Sequence, residues 1–159
     1  MSAACELDRC DLAILAVLQD DAALAVAQVA ERVNLSQNAC WRRIKRLEEE
    51  GFILRRVAIL NAARLRAGLS AFVELKALER TDEAIEALAS AVRRLPEVVE
   101  CHRLSGDVDF LLKIQAEDIA AFDRVCKRLI RAVRMTDIRV SFSVETLKAT
   151  TAIPLPNPA

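Results

Sequence analysis

The chain holds 159 residues, 53% of them hydrophobic and 29% charged, and 23 Lys+Arg balance 23 Asp+Glu to a formal net charge of zero. That apolar content excludes a disordered or low-complexity chain, which cannot offset its ordering entropy, and the balance excludes a globally basic nucleic-acid binder but not a local basic patch. No apolar run reaches the roughly 18 residues of a membrane span, and the first residues lack a basic stretch leading into an apolar one, so a soluble cytoplasmic protein without membrane partners is expected.

From Leu7 to Gly51 the apolar residues recur at helical spacing. Asp8 is placed to cap a first helix in which Leu12, Leu15, Ala16 and Val17 or Leu18 face a core, and Asp20-Asp21 ends it. A second, shorter helix runs through Val26, Val29, Ala30 and Val33 to Asn34, a residue tolerant of left-handed backbone. Ser36 caps a third helix from Gln37 to about Glu50, and Gly51 closes it. Short helices joined by such a tight turn form a helix-turn-helix. Phe52 to Leu60 reads as a strand placed to pair as a wing, and residues 61–68 read as a linker.

Leu69 to Lys76 is a strand of alternating character. Thr81 caps a helix in which Ile85, Leu88, Ala89, Val92 and Leu95 share a face, ended by Pro96. Val98 to Ser105 is a strand, Gly106-Asp107-Val108-Asp109 a turn, and Phe110 to Ala116 the hairpin partner. Asp118 caps a last helix with Ile119, Phe122, Val125, Cys126, Leu129 and Val133 on one side. Ile138 to Lys148 is the final strand, followed by an irregular Pro-rich tail. The order β-α-β-β-α-β is a ferredoxin-like split unit. Its two helices cover one sheet face, and the other is expected to be bare and apolar, which calls for a dimer. The fold class is therefore α+β, with a winged helix-turn-helix over residues 1–60, a linker over 61–68, and a ligand-binding and oligomerisation domain over 69–159.

On a helical wheel Cys40, Ile44 and Leu47 of the third helix form a buried stripe. Asn38, Trp41, Arg42 and Lys45 fall on the far side, flanked by Gln37 and Arg46. Gln and Asn pair with adenine edges and Arg with guanine, while the helix N-terminus presents amides to phosphate. Between Arg32 and Arg66 stand nine cations (Arg32, Arg42, Arg43, Lys45, Arg46, Arg55, Arg56, Arg64, Arg66) against Glu48, Glu49 and Glu50, a local charge of +6 in a neutral chain. Such a patch attracts phosphates. The competing reading is a solvated helix whose cations pair with those glutamates, and Trp41 can equally pack at the domain edge.

Five cysteines (Cys5, Cys10, Cys40, Cys101, Cys126) and the single His102 show neither metal-ligand clustering nor a disulfide framework, so no metal site is expected. The stretches LDRCDLAILAVLQDD, QVAERVNLSQNACWRRIKRLEEEGFI, VAILNAARLRAGLSAFVEL and LPEVVECHRLSGDVDFLLKIQAEDIAAFDRV together resemble the Lrp/AsnC (feast/famine) transcriptional regulators, in order and over nearly the whole chain. The resemblance implies a DNA-binding regulator of amino acid metabolism, with double-stranded DNA as partner and no catalytic residues. It also implies homodimers assembling into tetramers or octamers, and a small amino acid as effector, with no other cofactor. Family DNA contacts fall here on Gln37, Asn38, Ala39, Trp41, Arg42, Arg43, Lys45 and Arg46. The family's effector cleft lies at the contact between dimers, and its positions fall here on Arg103, Leu104, Gly106, Asp107, Val108 and Asp109, with Ser141 and Ser143 across from them. Turn amides there would hold a carboxylate and an Asp an ammonium, although the same Gly-Asp-Val-Asp also suits a plain hairpin turn.

The chain departs from the family pattern in places. Ala25-Val26 replaces a capping Ser or Thr, Val108 an aromatic, Val133-Arg134-Met135 a Pro-Gly-Val, and Arg66 a common Gly. Two other functions compete. Some proteins of similar fold decarboxylate siroheme-type tetrapyrroles with His and Arg, for which His102 and Arg103 are the candidates. Alternatively Cys101 senses thiols or oxidants, although strand alternation separates it from His102 and favours a place in the core.

Overall fold

The computed structural model describes residues 7–156; Cys5 and Pro158 lie outside the described residues. The chain divides into two compact units, one running to Ile59 and including the segment from Lys148 on, the other Leu60–Leu147. The segment from Lys148 on clusters with the helices, where the Ile153 N–H donates to Gln19 Oε1 at 3.1 Å.

The helical unit consists of α1 (Arg9–Asp20), α2 (Val26–Arg32) and α3 (Gln37–Glu49). Asp8 and Asp11 close a reciprocal cap at the start of α1, each carboxylate accepting from the other's backbone N–H, at 2.9 and 3.2 Å. That start sets the helix rotation, so Asp11, Leu12, Ile14 and Leu18 are buried and Ala16, expected inside, is exposed. Without a capping side chain at Ala25, α2 begins on Gln28, whose Oε1 accepts from the Ala25 N–H at 2.9 Å. It ends at Asn34, held at φ 53. There the Leu35 N–H reaches Ala30 O at 2.9 Å and the Asn34 N–H reaches Glu31 O at 3.3 Å, the paired bonds that end a helix through a left-handed residue. Ile14, Leu18, Val29, Ala30, Cys40, Ile44 and Leu47 form the core.

The expected wing strand is not formed within this chain. Residues 52–60 make no ladder, and Leu54, at 90% exposure, together with Val57, Ile59 and Leu60 faces outward. A strand needs a facing row of amides and carbonyls, and no described segment supplies one. The linker holds a short 3-10 turn over Ala62–Leu65, capped by the Asn61 side chain, and ends on Arg66 at φ 55. That conformation costs a non-glycine residue about 1–2 kcal/mol. The departure from a family glycine therefore coincides with a left-handed backbone.

The second unit is β1 (Leu69–Ala77), α4 (Asp82–Arg93), β2 (Val98–Arg103), β3 (Phe110–Ala116), α5 (Ile119–Ala132) and β4 (Met135–Phe142). The antiparallel sheet has the order β2-β3-β1-β4, as the ferredoxin-like reading expects. Ala71, Val73 and Leu75 of β1 and Phe110, Leu112, Ile114 and Ala116 of β3 meet Leu88 of α4 and Phe122, Val125 and Leu129 of α5. Phe122 packs edge-on against Phe142, with centroids 5.1 Å apart. Ile119, expected on that side, is exposed. Because Leu112 is fully buried at the centre, Leu112→Ala is expected to cost about 2–5 kcal/mol, measured as a lower urea midpoint by far-UV circular dichroism.

Two expectations for the sheet are corrected. β4 begins at Met135 and ends at Phe142 rather than running over Ile138 to Lys148, because β1 shifts register between Lys76 and Ala77 and so takes in Met135. The open face is not apolar. Strand alternation puts Phe72 and Leu111 there among charges, with Glu74 opposite Arg139, Lys76 opposite Asp137, and Lys113 Nζ 2.9 Å from Glu100 Oε1. The Lys113 contact and then His102 hold the Glu100 carboxyl below the usual range, against the opposing effect of burial.

Candidate functional site

α3 is the element on which the charge pattern converges. Ser36 Oγ accepts from the Ala39 N–H at 3.3 Å. Cys40, Ile44 and Leu47 are buried as the wheel requires, and burial pushes the Cys40 thiol up. Gly51, at φ 79, donates to Glu48 O at 3.2 Å and ends the helix. Gln37, Asn38, Trp41, Arg42 and Lys45 are exposed and Ala39 half-buried. Trp41 is 52% exposed, with Lys45 Nζ 5.5 Å above its ring. It therefore does not pack into a core.

The remaining two cations of the helix turn the other way. Arg43 Nη1 lies 2.7 Å from Asp8 Oδ2 and 2.8 Å from Asp11 Oδ1, while Arg46 Nη2 lies 2.5 Å from Asp11 Oδ2. Asp11 is only 1% exposed, so one buried carboxylate ties two guanidiniums and bolts α3 to α1. The Asp11 N–H and then Arg43 hold the Asp8 carboxyl below its ordinary range, and the two carboxylates in turn raise Arg43. Other cations of the basic segment are engaged as well: Arg56 with Glu48 at 2.9 Å, Lys45 with Glu49 at 3.6 Å and Arg66 with Glu117 at 4.0 Å. Among the described residues Arg32, Arg42, Arg55 and Arg64 form no ion pair. The sequence reading missed Asp11, although its spacing from the capping Asp8 was a visible signal.

The hairpin between β2 and β3 borders two hollows. One, of about 480 Å³, is lined by Arg103, Leu104, Gly106 and Asp109 of the expected set, and by Glu79, Arg80 and Ile85, which were not foreseen. The other, of about 100 Å³, takes Asp107 and Val108 with Asp137 and Arg139 of β4. Ser141 and Ser143 are not among them. Ser141 pairs with Phe72 and the Ser143 N–H donates to Ser70 O, at the other end of β1 from the hairpin. Within one chain the hairpin therefore faces Asp137 and Arg139 instead. Asp109 is also committed. Its Oδ2 accepts from the Ala77 N–H at 2.9 Å and its Oδ1 meets Arg80 Nε at 2.7 Å, so it locks the turn to the end of β1.

His102 and Arg103 occupy adjacent strand positions and so point to opposite faces. His102 Nε2 lies 3.5 Å from Glu100 and borders neither hollow. Cys101, expected in the core, is exposed on the edge strand, although neighbouring groups desolvate its thiol and push it up. No group of His, Cys, Asp and Glu among the described residues is arranged to hold a metal ion, and no described helix is long and apolar enough to cross a membrane.

Residues 7–53 match the family described as winged helix-turn-helix DNA-binding, and residues 70–153 match the Lrp/AsnC ligand binding domain. The chain belongs to the Lrp/AsnC family. It is a DNA-binding transcriptional regulator. The glutamate uptake regulatory protein of Zymomonas mobilis is 41% identical over 151 residues, which are 95% of this chain and 92% of that one. An AsnC family transcriptional regulator from Agrobacterium tumefaciens superimposes with a TM-score of 0.89 at 42% identity, covering 93% of this chain and 97% of that one. A Neisseria meningitidis transcriptional regulator solved in complex with L-Met gives 0.88 at 35% identity, with 94% and 97% covered.

Proposed function

We propose that this Lrp/AsnC regulator reads double-stranded DNA with the outward face of α3 and answers to a small amino acid at the β2–β3 hairpin. The observation that carries the first half is the division of α3. Gln37, Asn38, Trp41, Arg42 and Lys45 are open to solvent, while Arg43 and Arg46 are spent holding the helix in place. Gln37 and Asn38 are the base-reading side chains, Arg42 and Lys45 the phosphate contacts, and Ala39 at the first turn gives close approach to the groove. Arg43 and Arg46 act from behind, by fixing the angle at which that face is offered.

The amino acid half is supported by the L-Met complex of the Neisseria relative and by the charged lining of the hairpin hollows. A homodimer, assembling into tetramers or octamers, is the form in which paired recognition helices meet half-sites one helical turn apart. The unpaired apolar run Leu54, Val57, Ile59 and Leu60 supports such an association better than the charged sheet face does. We assign no catalytic residue and no cofactor beyond the effector, and place the protein in the cytoplasm with its DNA.

Fluorescence anisotropy with a labelled duplex from the protein's own upstream region tests this. A competitor-resistant complex is expected whose affinity falls steeply with salt. Binding no tighter than to unrelated duplex would overturn the reading.

A further inference from the structure

A second cationic face lies on α5, in the unit that carries the sheet. Residues 119–134 hold Arg124, Lys127, Arg128, Arg131 and Arg134 against the single acid Asp123, a local charge of +4 in a chain of zero net charge. All five cations are exposed. Arg124, Lys127, Arg128 and Arg131 stand at i, i+3, i+4 and i+7, one helix face. Phe122, Val125 and Leu129, which pack on the sheet, occupy the opposite face. Arg128 is committed to the fold: its Nη2 donates to the Arg94 carbonyl at 3.3 Å and its Nη1 lies 3.9 Å from Glu97 Oε1. Lys127 Nζ lies 2.5 Å from Asp123 Oδ2, in a pair exposed on both sides and so screened by water and salt. Arg124, Arg131 and Arg134 form no ion pair among the described residues.

The needs of the helix itself do not explain this stripe. A cation in the last turn meets the negative end of the helix dipole, which accounts for Arg131. Arg124 and Lys127 stand in mid-helix, beyond the reach of that effect. Arg124 with Arg128, and Lys127 with Arg131, are like charges one turn apart, an arrangement that disfavours an isolated helix. An external polyanion removes that penalty. We propose that this face of α5 holds the sugar-phosphate backbone of duplex DNA without reading its sequence, adding to the contacts of α3. The proposal rests on the DNA-binding reading above and extends it to the second unit. From Arg124 to Arg131 the helix rises about 10 Å, a length over which a duplex presents about six charges. Residues 119–134 contain no Asn, Gln, Ser or Thr, in contrast to Gln37 and Asn38 of α3, so the face is built to hold phosphates and not to discriminate bases. No aromatic residue of α5 is exposed to anchor a protein partner instead.

Fluorescence anisotropy on the full chain tests this, with the upstream duplex and an unrelated duplex of equal length across a salt series. The triple variant Arg124→Gln, Lys127→Gln and Arg131→Gln removes three exposed charges, and unchanged circular dichroism verifies its fold. Binding is expected to weaken at least about tenfold on both duplexes alike, with the slope of log K against log salt reduced by about 3. Preference for the upstream duplex should stay as in the wild type. Arg124→Lys with Arg131→Lys keeps the charge and should keep the slope. Glu79, Glu83 and Glu145 are exposed; adding Glu79→Gln, Glu83→Gln and Glu145→Gln to the triple variant returns its net charge to zero and should not restore binding. An unchanged slope, a loss confined to the upstream duplex, or recovery when net charge is restored overturns the proposal. The α3 reading then stands or falls separately, on the response to Arg42→Ala. A wild type without preference between the duplexes, still weakened by the triple variant, supports the α5 contact and overturns the α3 reading. Failure of the wild type to bind either duplex overturns both.

Discussion

Asp11→Ala is expected to destabilise the helical unit by about 2–3 kcal/mol, the scale for losing charge-assisted hydrogen bonds to part-exposed guanidiniums. The reason is that Asp11 faces two guanidiniums, Arg43 at 2.8 Å and Arg46 at 2.5 Å, while itself almost wholly buried. Its loss removes the anion that Arg43 and Arg46 share and the carboxylate that caps the Asp8 N–H. Trp41 is the only tryptophan and the chain has no tyrosine, so red-excited fluorescence reports on α3 alone. Urea titration followed in that signal should show a shifted midpoint for Asp11→Ala and a smaller shift for Arg43→Ala, which leaves the Arg46 pair in place. A change below about 0.5 kcal/mol, the scale of ordinary surface substitutions, would mean that α3 is held by its apolar stripe instead. Acid acts on the same device through Asp8, whose carboxyl is depressed in the folded state. Its contribution is present above the ordinary carboxylate pKa and is lost as pH falls through the folded value. The fluorescence midpoint should therefore decline on acidification, and less so in Asp8→Asn.

What was legible in the sequence was local. Ser36, Asn34 and Gly51 announce helix ends because a cap needs only residues within one turn of it, and the Cys40, Ile44 and Leu47 stripe follows from helical period alone. The strand order of the second unit was legible for a similar reason, since alternating runs separated by helices leave few topologies. The inward turn of Arg43 and Arg46 was not, because their partner stands 32 and 35 residues away. A charge count from Arg32 to Arg66 could not include Asp8 and Asp11, and so overstated the basic face. Ser141 and Ser143 belong, in the family pattern, to a cleft between dimers, and within one chain the register of β4 on β1 brings Asp137 and Arg139 to the hairpin. The wing failed for a further reason. Leu54 to Leu60 has strand-like residues, but a strand is a property of a pair, and one sequence cannot say whether the partner belongs to the same chain.

Arg42→Ala and Lys45→Ala are expected to flatten the salt dependence of operator binding, whereas Arg43→Ala is not. A cation that neutralises a phosphate releases condensed counterions, so the slope of log K against log salt changes by about 1 for each contact removed. Arg42 forms no ion pair among the described residues. Lys45 leans on Trp41 at 5.5 Å and on Glu49 at 3.6 Å, both weak and exposed. Either can turn to a phosphate at little cost, since exposed pairs contribute about 0–1 kcal/mol. Arg43 would have to abandon two carboxylates. Its substitution should lower affinity by loosening α3 while leaving the slope unchanged, and the stability measurement above should register it. Asn38→Ala supplies the third signature. Removing a side chain that reads a base edge costs about 1–3 kcal/mol on the preferred duplex and little on a mismatched one, with the slope again unaltered. Slope, stability and sequence preference are separate readouts, so each side chain of α3 must declare which task it performs. A flattened slope in Arg43→Ala with an unshifted fluorescence midpoint would reverse the assignment of the two faces.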